Sequence, residues 1–429
     1  MELGVFFAVF VIAMLLGMPI AFAMIIGTVA YALLAQIELG FLTLQMFAGL
    51  DSFLLLAIPL FILTSEVMDR SGVATRIYDF AHVLVGRLPG GMAHVDVVTS
   101  VIFSGMSGSA LADVGGIGRT GYLAMVNKGY PAPFSAAVVV TSSVIGPLIP
   151  PSIPMVVLAM VSGISIQRLF FGGALPGLLV AVAMFIYIHI HFRRTHVPSN
   201  ESLWSFPVLA AAFATAFLPL LTPVVLLGGI WFGVVTITEA AGLAVSYALI
   251  LGLVVYRTLG PTEMWDSLKS VFRSCGPILI LLPAAKVFGF VLTLEQLPTL
   301  FSQTVLAVTD NPWLILIAVN LLFLIAGFFS DPTVNIMLFV PIVMPLAQSI
   351  GMDPVQFGVM VVFNCMIGLV TPPVGAALFA IIGMDSKRLT LESLVRAMPP
   401  FYMILMGLLV LIALVPAVST ALPNALFGK

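Results

Sequence analysis

The chain has 429 residues, 61% of them hydrophobic and only 8% charged, with a formal net charge of -2. Ordinary soluble domains carry roughly 25% charged residues, and a water-facing surface needs polar cover this chain lacks. Soluble enzymes, secreted modules and nucleic-acid binders are therefore excluded, and the sequence reads as an all-α polytopic membrane protein.

A helix that crosses about 30 Å of hydrocarbon needs about 20 apolar residues. In chain order the sequence predicts spans at 3–35 and 43–68, an interrupted stretch at 90–126, and spans at 132–161 and 169–192. A connecting span follows at 206–222. Beyond it come spans at 223–256 and 276–294, a second interrupted stretch at 312–347, and spans at 354–383 and 398–420. The interruptions are runs of small and polar residues, Ser104 to Asp113 and Gly327 to Thr333. Two arms of about 15 residues rise about 22 Å each, which suits re-entrant hairpins whose tips are buried in protein or line a cavity. The N-terminus opens on an apolar run without a basic region or cleavage site and reads as mature sequence. Cys275 and Cys365 lie in apolar runs without metal-ligand spacing.

The sequence duplicates itself. Shifted by 222 residues, Gly105 falls on Gly327, Gly129 on Gly351, Ile145-Gly146 on Ile367-Gly368 and Pro150-Pro151 on Pro372-Pro373. Repeats of this kind are the mark of inverted-topology transporters. Residues 1–205 form the first repeat and 223–429 the second; four spans plus the connecting span invert the second copy. With a cytoplasmic N-terminus and a periplasmic C-terminus, Arg70, Arg76, Arg87, Lys128, Arg193, Arg194, Arg257, Lys269, Arg273, Lys387, Arg388 and Arg396 lie inside. Only Arg168 and Lys429 then fall outside, as the positive-inside rule requires.

The chemistry is expected where helices break. A helical proline lacks an N–H and crowds the carbonyl four residues back, so Pro150 frees Gly146, Pro154 frees Pro150 and Pro372 frees Gly368. A bare carbonyl in hydrocarbon is costly; a cation, water or a neighbouring helix can satisfy it. Two breaks, each beside a small-residue hairpin tip, predict two pseudo-symmetric cation sites. Asp331-Pro332-Thr333 reads as an N-cap followed by proline at the first helical position, and Ser109 as the cap of the matching arm. Helix N-termini aimed at the midplane favour an anionic group. Ser104, Ser107, Ser109 and Thr333 offer hydroxyls to ion or substrate. Asp113 lines the substrate cavity or pairs with Arg119. Lys286 and Glu239 read as charges near the centres of their spans, either paired with each other or with Lys286 facing a substrate carboxylate. His94 and Asp96 stand on the first hairpin arm without an identifiable partner.

Ser107-Gly-Ser-Ala-Leu-Ala-Asp113, Ile145-Gly-Pro-Leu-Ile-Pro-Pro-Ser-Ile-Pro154 and Ile367-Gly-Leu-Val-Thr-Pro-Pro-Val-Gly375 resemble the large membrane subunit of tripartite ATP-independent periplasmic (TRAP) transporters, over essentially the whole chain. The resemblance implies a sodium-coupled elevator in the bacterial inner membrane, working with a small four-helix membrane subunit and a periplasmic substrate-binding protein. It implies one Na+ site at Ser104, Ser107, Gly146, Ile149 and Pro151, and another at Gly327, Gly368, Thr371 and Val374. Ser109, Asp113, Lys286, Asp331 and Thr333 remain for substrate, a carboxylate of the sialic acid or four-carbon dicarboxylate class. A standalone divalent-anion sodium symporter shares the architecture but carries a Ser-Asn-Thr tip this chain lacks. Gly105-Met-Ser-Gly108 matches the Gly-x-Ser-Gly of intramembrane serine proteases, yet no histidine base is placed for it. A passive channel would leave the duplicated breaks without a purpose.

Overall fold

The computed structural model describes residues 2–194 and 205–428; the junction 195–204, with His196, and the terminal Lys429 lie outside the described residues. Every regular element described is helical. The first run is not one span. α1 (Glu2–Leu15) and α2 (Ile20–Leu34) fold back on each other: Phe6 meets Tyr31 with ring centroids 6.0 Å apart, and Phe10 closes on the bare face of Gly27. Gly17, at φ +83, followed by Pro19 before α2, makes the turn, since a left-handed glycine ends a helix and proline does not extend one. The two ends of this pair, Glu2 and Glu38, therefore lie together. This corrects the expected single span 3–35.

α3 (Leu39–Leu50) and α4 (Ala57–Arg70) replace the expected straight span 43–68 by a pair bent 54° at Asp51-Ser52. α5 (Val73–Val85) leads to the first hairpin: α6 (Gly91–Ser107), then α7 (Ala110–Asp113), running through a π turn into α8 (Arg119–Asn127). α9 (Ala132–Ser142), prolonged by a tighter turn to Ile145, breaks before α10 (Ile153–Ser162), and α11 (Ile166–Arg194) follows.

The second half opens with α12 (Phe206–Trp231), which passes through Pro219 and Pro223 without interruption. The boundary expected between 206–222 and 223–256 is thus absent, and the chain turns at Gly233 instead. Prolines four apart remove N–H groups from one side of the helix and leave the other side's ladder to carry it. α13 (Ile237–Ile250), α14 (Pro261–Leu294), a helix of 34 residues, and α15 (Leu297–Val308) come next. The second hairpin is α16 (Pro312–Phe329) and α17 (Pro332–Ser349), joined by Ser330-Asp331, with Phe323 and Phe339 edge-to-face across the arms. Each arm has 18 residues, about 27 Å, longer than expected. α18 (Pro354–Leu369) breaks before α19 (Ala376–Met384), and α20 (Leu391–Ala397), α21 (Pro399–Leu414) and α22 (Ala417–Phe427) complete the fold.

Elements recur in order in the two halves: α2 and α13, bent α3–α4 and α14, α5 and α15, hairpin and hairpin, broken helix and broken helix. The mates α3–α4 and α14 run antiparallel. Phe41 meets Phe290 at 5.1 Å, Gly49 abuts Pro283, and the Ser270 hydroxyl donates to Glu66 Oε1 at 2.5 Å. The broken helices form the centre, with every residue from Val355 to Leu369 buried, while Leu16, Phe206, Phe232 and Val308 point outward.

Candidate functional site: two hairpin tips on two broken helices

Both tips are fastened to the breaks. In the first half Gly108, at φ +64, sits so close to Pro151 that a β-carbon on it would come 2.4 Å from the Pro151 carbonyl. The Ile153 N–H donates to the Gly108 carbonyl at 3.2 Å. In the second half two glycines meet: a β-carbon on Gly368 would stand 2.5 Å from Gly327 Cα. Only residues without side chains allow these approaches. The Pro150–Pro151 and Pro372–Pro373 bonds are both cis.

The first half gathers its polar atoms behind the tip. Ser104, Ser107 and Asp113 are buried, Asp113 being 1% exposed. The Ser107 hydroxyl donates to Asp113 Oδ1. The other carboxylate oxygen, Oδ2, is buried without a hydrogen-bond partner and rests on Gly146, where a β-carbon would come within 2.2 Å. Asp113 thus neither lines the cavity nor pairs with Arg119, in contrast to the sequence expectation, because the tip turn folds it inward onto Ser107. Ser104 bonds its own helix at the Val101 carbonyl, 2.6 Å away, and the Ile149 side chain packs on Gly177, leaving its carbonyl as the group it can offer.

The second half is more open. Thr371 is half-buried and its hydroxyl donates to the Ile367 carbonyl at 2.6 Å, while Val374 is exposed. The Gly368 carbonyl, expected to be bare, accepts the Thr371 N–H at 3.0 Å in a tight turn; its second lone pair is what remains for a cation. The position matching Asp113 is Asn335, whose amide oxygen accepts from the Ser330 hydroxyl. One half therefore carries a carboxylate where the other carries a neutral amide.

In front of the tips lies a cavity of about 920 Å³, in the range of small-molecule sites. Ser109 caps α7 by accepting the Ala112 N–H at 3.4 Å, and Asp331 caps α17 by accepting the Thr333 N–H at 2.8 Å. Ser107, Ser109, Asp331 and Thr333 all line this one space. The opposite wall comes from the turn before α2, from α4 with Ser65 and Glu66, and from α14 with Arg273 and Ser274. These wall residues escaped the sequence reading because nothing local marks them.

Lys286 and Glu239 do not behave as expected. Lys286 packs on Gly49 outside the cavity lining. Glu239 belongs to a capping box with Thr236 at the start of α13 and is exposed. No ion pair joins them among the described residues. The Thr-x-x-Glu spacing was legible as a helix start, but the apolar run around it hid the boundary. Asp96, without an identifiable partner in the sequence, accepts from the Ser142 hydroxyl at 2.8 Å, tying the hairpin arm to the first broken helix. His94 lies buried beside Phe185 and His189.

Antiparallel halves, paired helical hairpins and broken helices around one cavity define a helical membrane protein of the inverted-repeat transporter class. The model of the family described as "Tripartite ATP-independent periplasmic transporter, DctM component" matches residues 7–418, and the chain belongs to that family. It is 38% identical to the sialic acid TRAP transporter large permease SiaM of Vibrio cholerae, covering 96% of each chain. It is 37% identical to the C4-dicarboxylate large permease DctM of Pseudomonas aeruginosa, covering 93% of this chain and 92% of that one. The 2,3-diketo-L-gulonate large permease YiaN of Escherichia coli is 32% identical over 94% of each. The fold also resembles the crystal structure of the Alcanivorax borkumensis YdaH transporter, with a TM-score of 0.59 and 15% identity over 87% of this chain and 88% of that one.

Proposed function

We propose that this TRAP large permease carries a carboxylate across the bacterial inner membrane by sodium symport, accepting it from a periplasmic binding protein and working beside a small four-helix membrane subunit. The observation that carries the reading is that both hairpin tips are fastened to mid-helix breaks and open on one cavity. Named relatives for sialic acid, C4-dicarboxylate and diketogulonate support the carboxylate class.

In this mechanism one Na+ binds at the first break, between the Gly146 and Ile149 carbonyls, the Ser104 and Ser107 hydroxyls and the unpartnered oxygen of Asp113. A second binds at Gly327, Gly368, Thr371 and Val374 through carbonyls. Each ion supplies the charge that holds a tip against its break. The two capped N-termini at Ser109 and Asp331-Thr333 then face an anion, and the hairpins with their broken helices move as a unit against α3–α4 and α14. In this reading each tip stops at the depth of a mid-span break and both stretches are re-entrant; the packing of each tip on its break supports it.

Proteoliposomes holding the chain, its small subunit and its binding protein, with sialic acid or succinate offered, should take up one of the acids only with an inward sodium gradient. Uptake that ignores sodium, or flux without binding protein, overturns the reading. Replacing Ser107 or Thr371 by leucine should weaken sodium activation.

A further inference from the structure

Among the described residues, the cavity wall opposite the tips holds one cation, Arg273, and three charged residues line the space, the two acidic ones being engaged. Glu66 accepts from Ser270 at 2.5 Å and faces Arg70 at 3.7 Å; Asp331 accepts the Thr333 N–H at the head of α17. Arg273 is exposed and has no acidic group within 4.0 Å among the described residues. Lys269, one turn earlier on α14, differs: it pairs with Asp266 at 3.3 Å and does not line the cavity.

We propose that Arg273 is the substrate's carboxylate-binding residue, clasping it from the α4–α14 wall while the hairpin tips hold the rest of the molecule. This rests on the proposed function and places its anion specificity on a residue of the opposite wall. A guanidinium presents a planar fork of donors matched to the two oxygens of a carboxylate. The helix N-termini at the tips contribute partial charges only, so the full positive charge in the cavity is that of Arg273. Its position on α14, which the proposed motion leaves in place, makes the contact specific to the conformation seen here. An acid carried past Arg273 gains this contact at one end of the cycle and loses it at the other.

Two experiments test the assignment. In the reconstituted complex, at a fixed subsaturating level of loaded binding protein, Arg273→Gln should cut uptake about thirtyfold, the weight of a charged hydrogen-bonded pair. Arg273→Lys should cut it only about threefold, and neither should change the sodium concentration for half activation. Lys269→Gln, which removes an equivalent inside charge, should stay within twofold of the parent. Uptake by Arg273→Gln within twofold of the parent, or an equal loss in Lys269→Gln, overturns the proposal.

The second experiment needs no substrate. A thiol placed in the cavity by Ala112→Cys should react faster with a sulfonate-bearing thiosulfonate than with its trimethylammonium counterpart. That ratio should fall about tenfold when Arg273→Gln is added. An unchanged ratio overturns the proposal even if the complex carries neither acid, in which case uptake alone speaks against the proposed function.

Discussion

At the scale of single residues, the site depends on what glycine omits and on what Asp113 leaves unpaired. Gly108, Gly146, Gly327 and Gly368 let backbone meet backbone or carboxylate at distances no side chain permits. Gly146 and Gly368 were legible as a repeat, as were Gly105 and Gly327, whereas Gly108 falls on Ser330. Which glycine touches which was not legible: in the second half Gly327 meets Gly368, whereas in the first Gly146 meets Asp113. A buried carboxylate oxygen without a partner is unfavourable unless a cation completes it. Asp113→Asn should therefore raise the sodium concentration for half-maximal uptake about tenfold, leaving protein levels in the membrane close to the parent's. An unchanged sodium dependence would remove Asp113 from the ion site. Asn335 already provides the neutral counterpart in the other half, so Asn at 113 makes the two halves chemically alike.

At the scale of elements, proline acts by context. Pro150 and Pro372 lie in real breaks and Pro154 in the first turn after one, each break packed against a hairpin tip: the Ile153 N–H bonds the Gly108 carbonyl in the first half, and Gly327 abuts Gly368 in the second. Pro219 and Pro223 lie in α12 without breaking it. The residues are alike; the first group lies where a helix stops or restarts, whereas Pro223 packs on Gly105 of the first hairpin arm from within an unbroken helix. Capping shows the same limit. Asp331 and Ser109 cap their helices as the sequence implies, yet Glu239, read as a mid-span charge, also caps one. Glu239→Ala removes one arm of the capping box with Thr236 and should slightly lower the unfolding temperature in detergent. Uptake should stay within twofold, and a transport defect exceeding the loss of stability would restore the ion-pair reading with Lys286.

At the scale of the whole molecule, the hairpin made by α1 and α2 predicts a sidedness for the N-terminus other than the one expected from the sequence. The Tyr31 hydroxyl bonds Glu295 at the end of α14, opposite the end that carries Lys269 and Arg273. If those cations face the cytoplasm, Glu2 and Glu38 face the periplasm, along with the C-terminus. In that arrangement the basic residues keep the side the sequence count gives them, because folding 3–35 into two helices moves only the segment before α3. Alkaline phosphatase fused to either terminus should be active, and green fluorescent protein fused there dark. A fluorescent N-terminal fusion would return the chain to the single-span arrangement. The inversion of the halves survives this correction, carried by the antiparallel packing of α3–α4 on α14 rather than by a count of spans.

The sequence alone determined the membrane class, the duplication, the two hairpins and the two breaks, because hydrophobicity, periodicity, proline and glycine act within a few residues of themselves. The tertiary structure decided which polar atoms share a point in space. Asp113 turned inward to Ser107 and Gly146, Lys286 lay outside the cavity, and Arg273 came to share the cavity with the tips from another wall. Local rules fix where a helix can end; only packing between segments far apart in the chain fixes what that end will face.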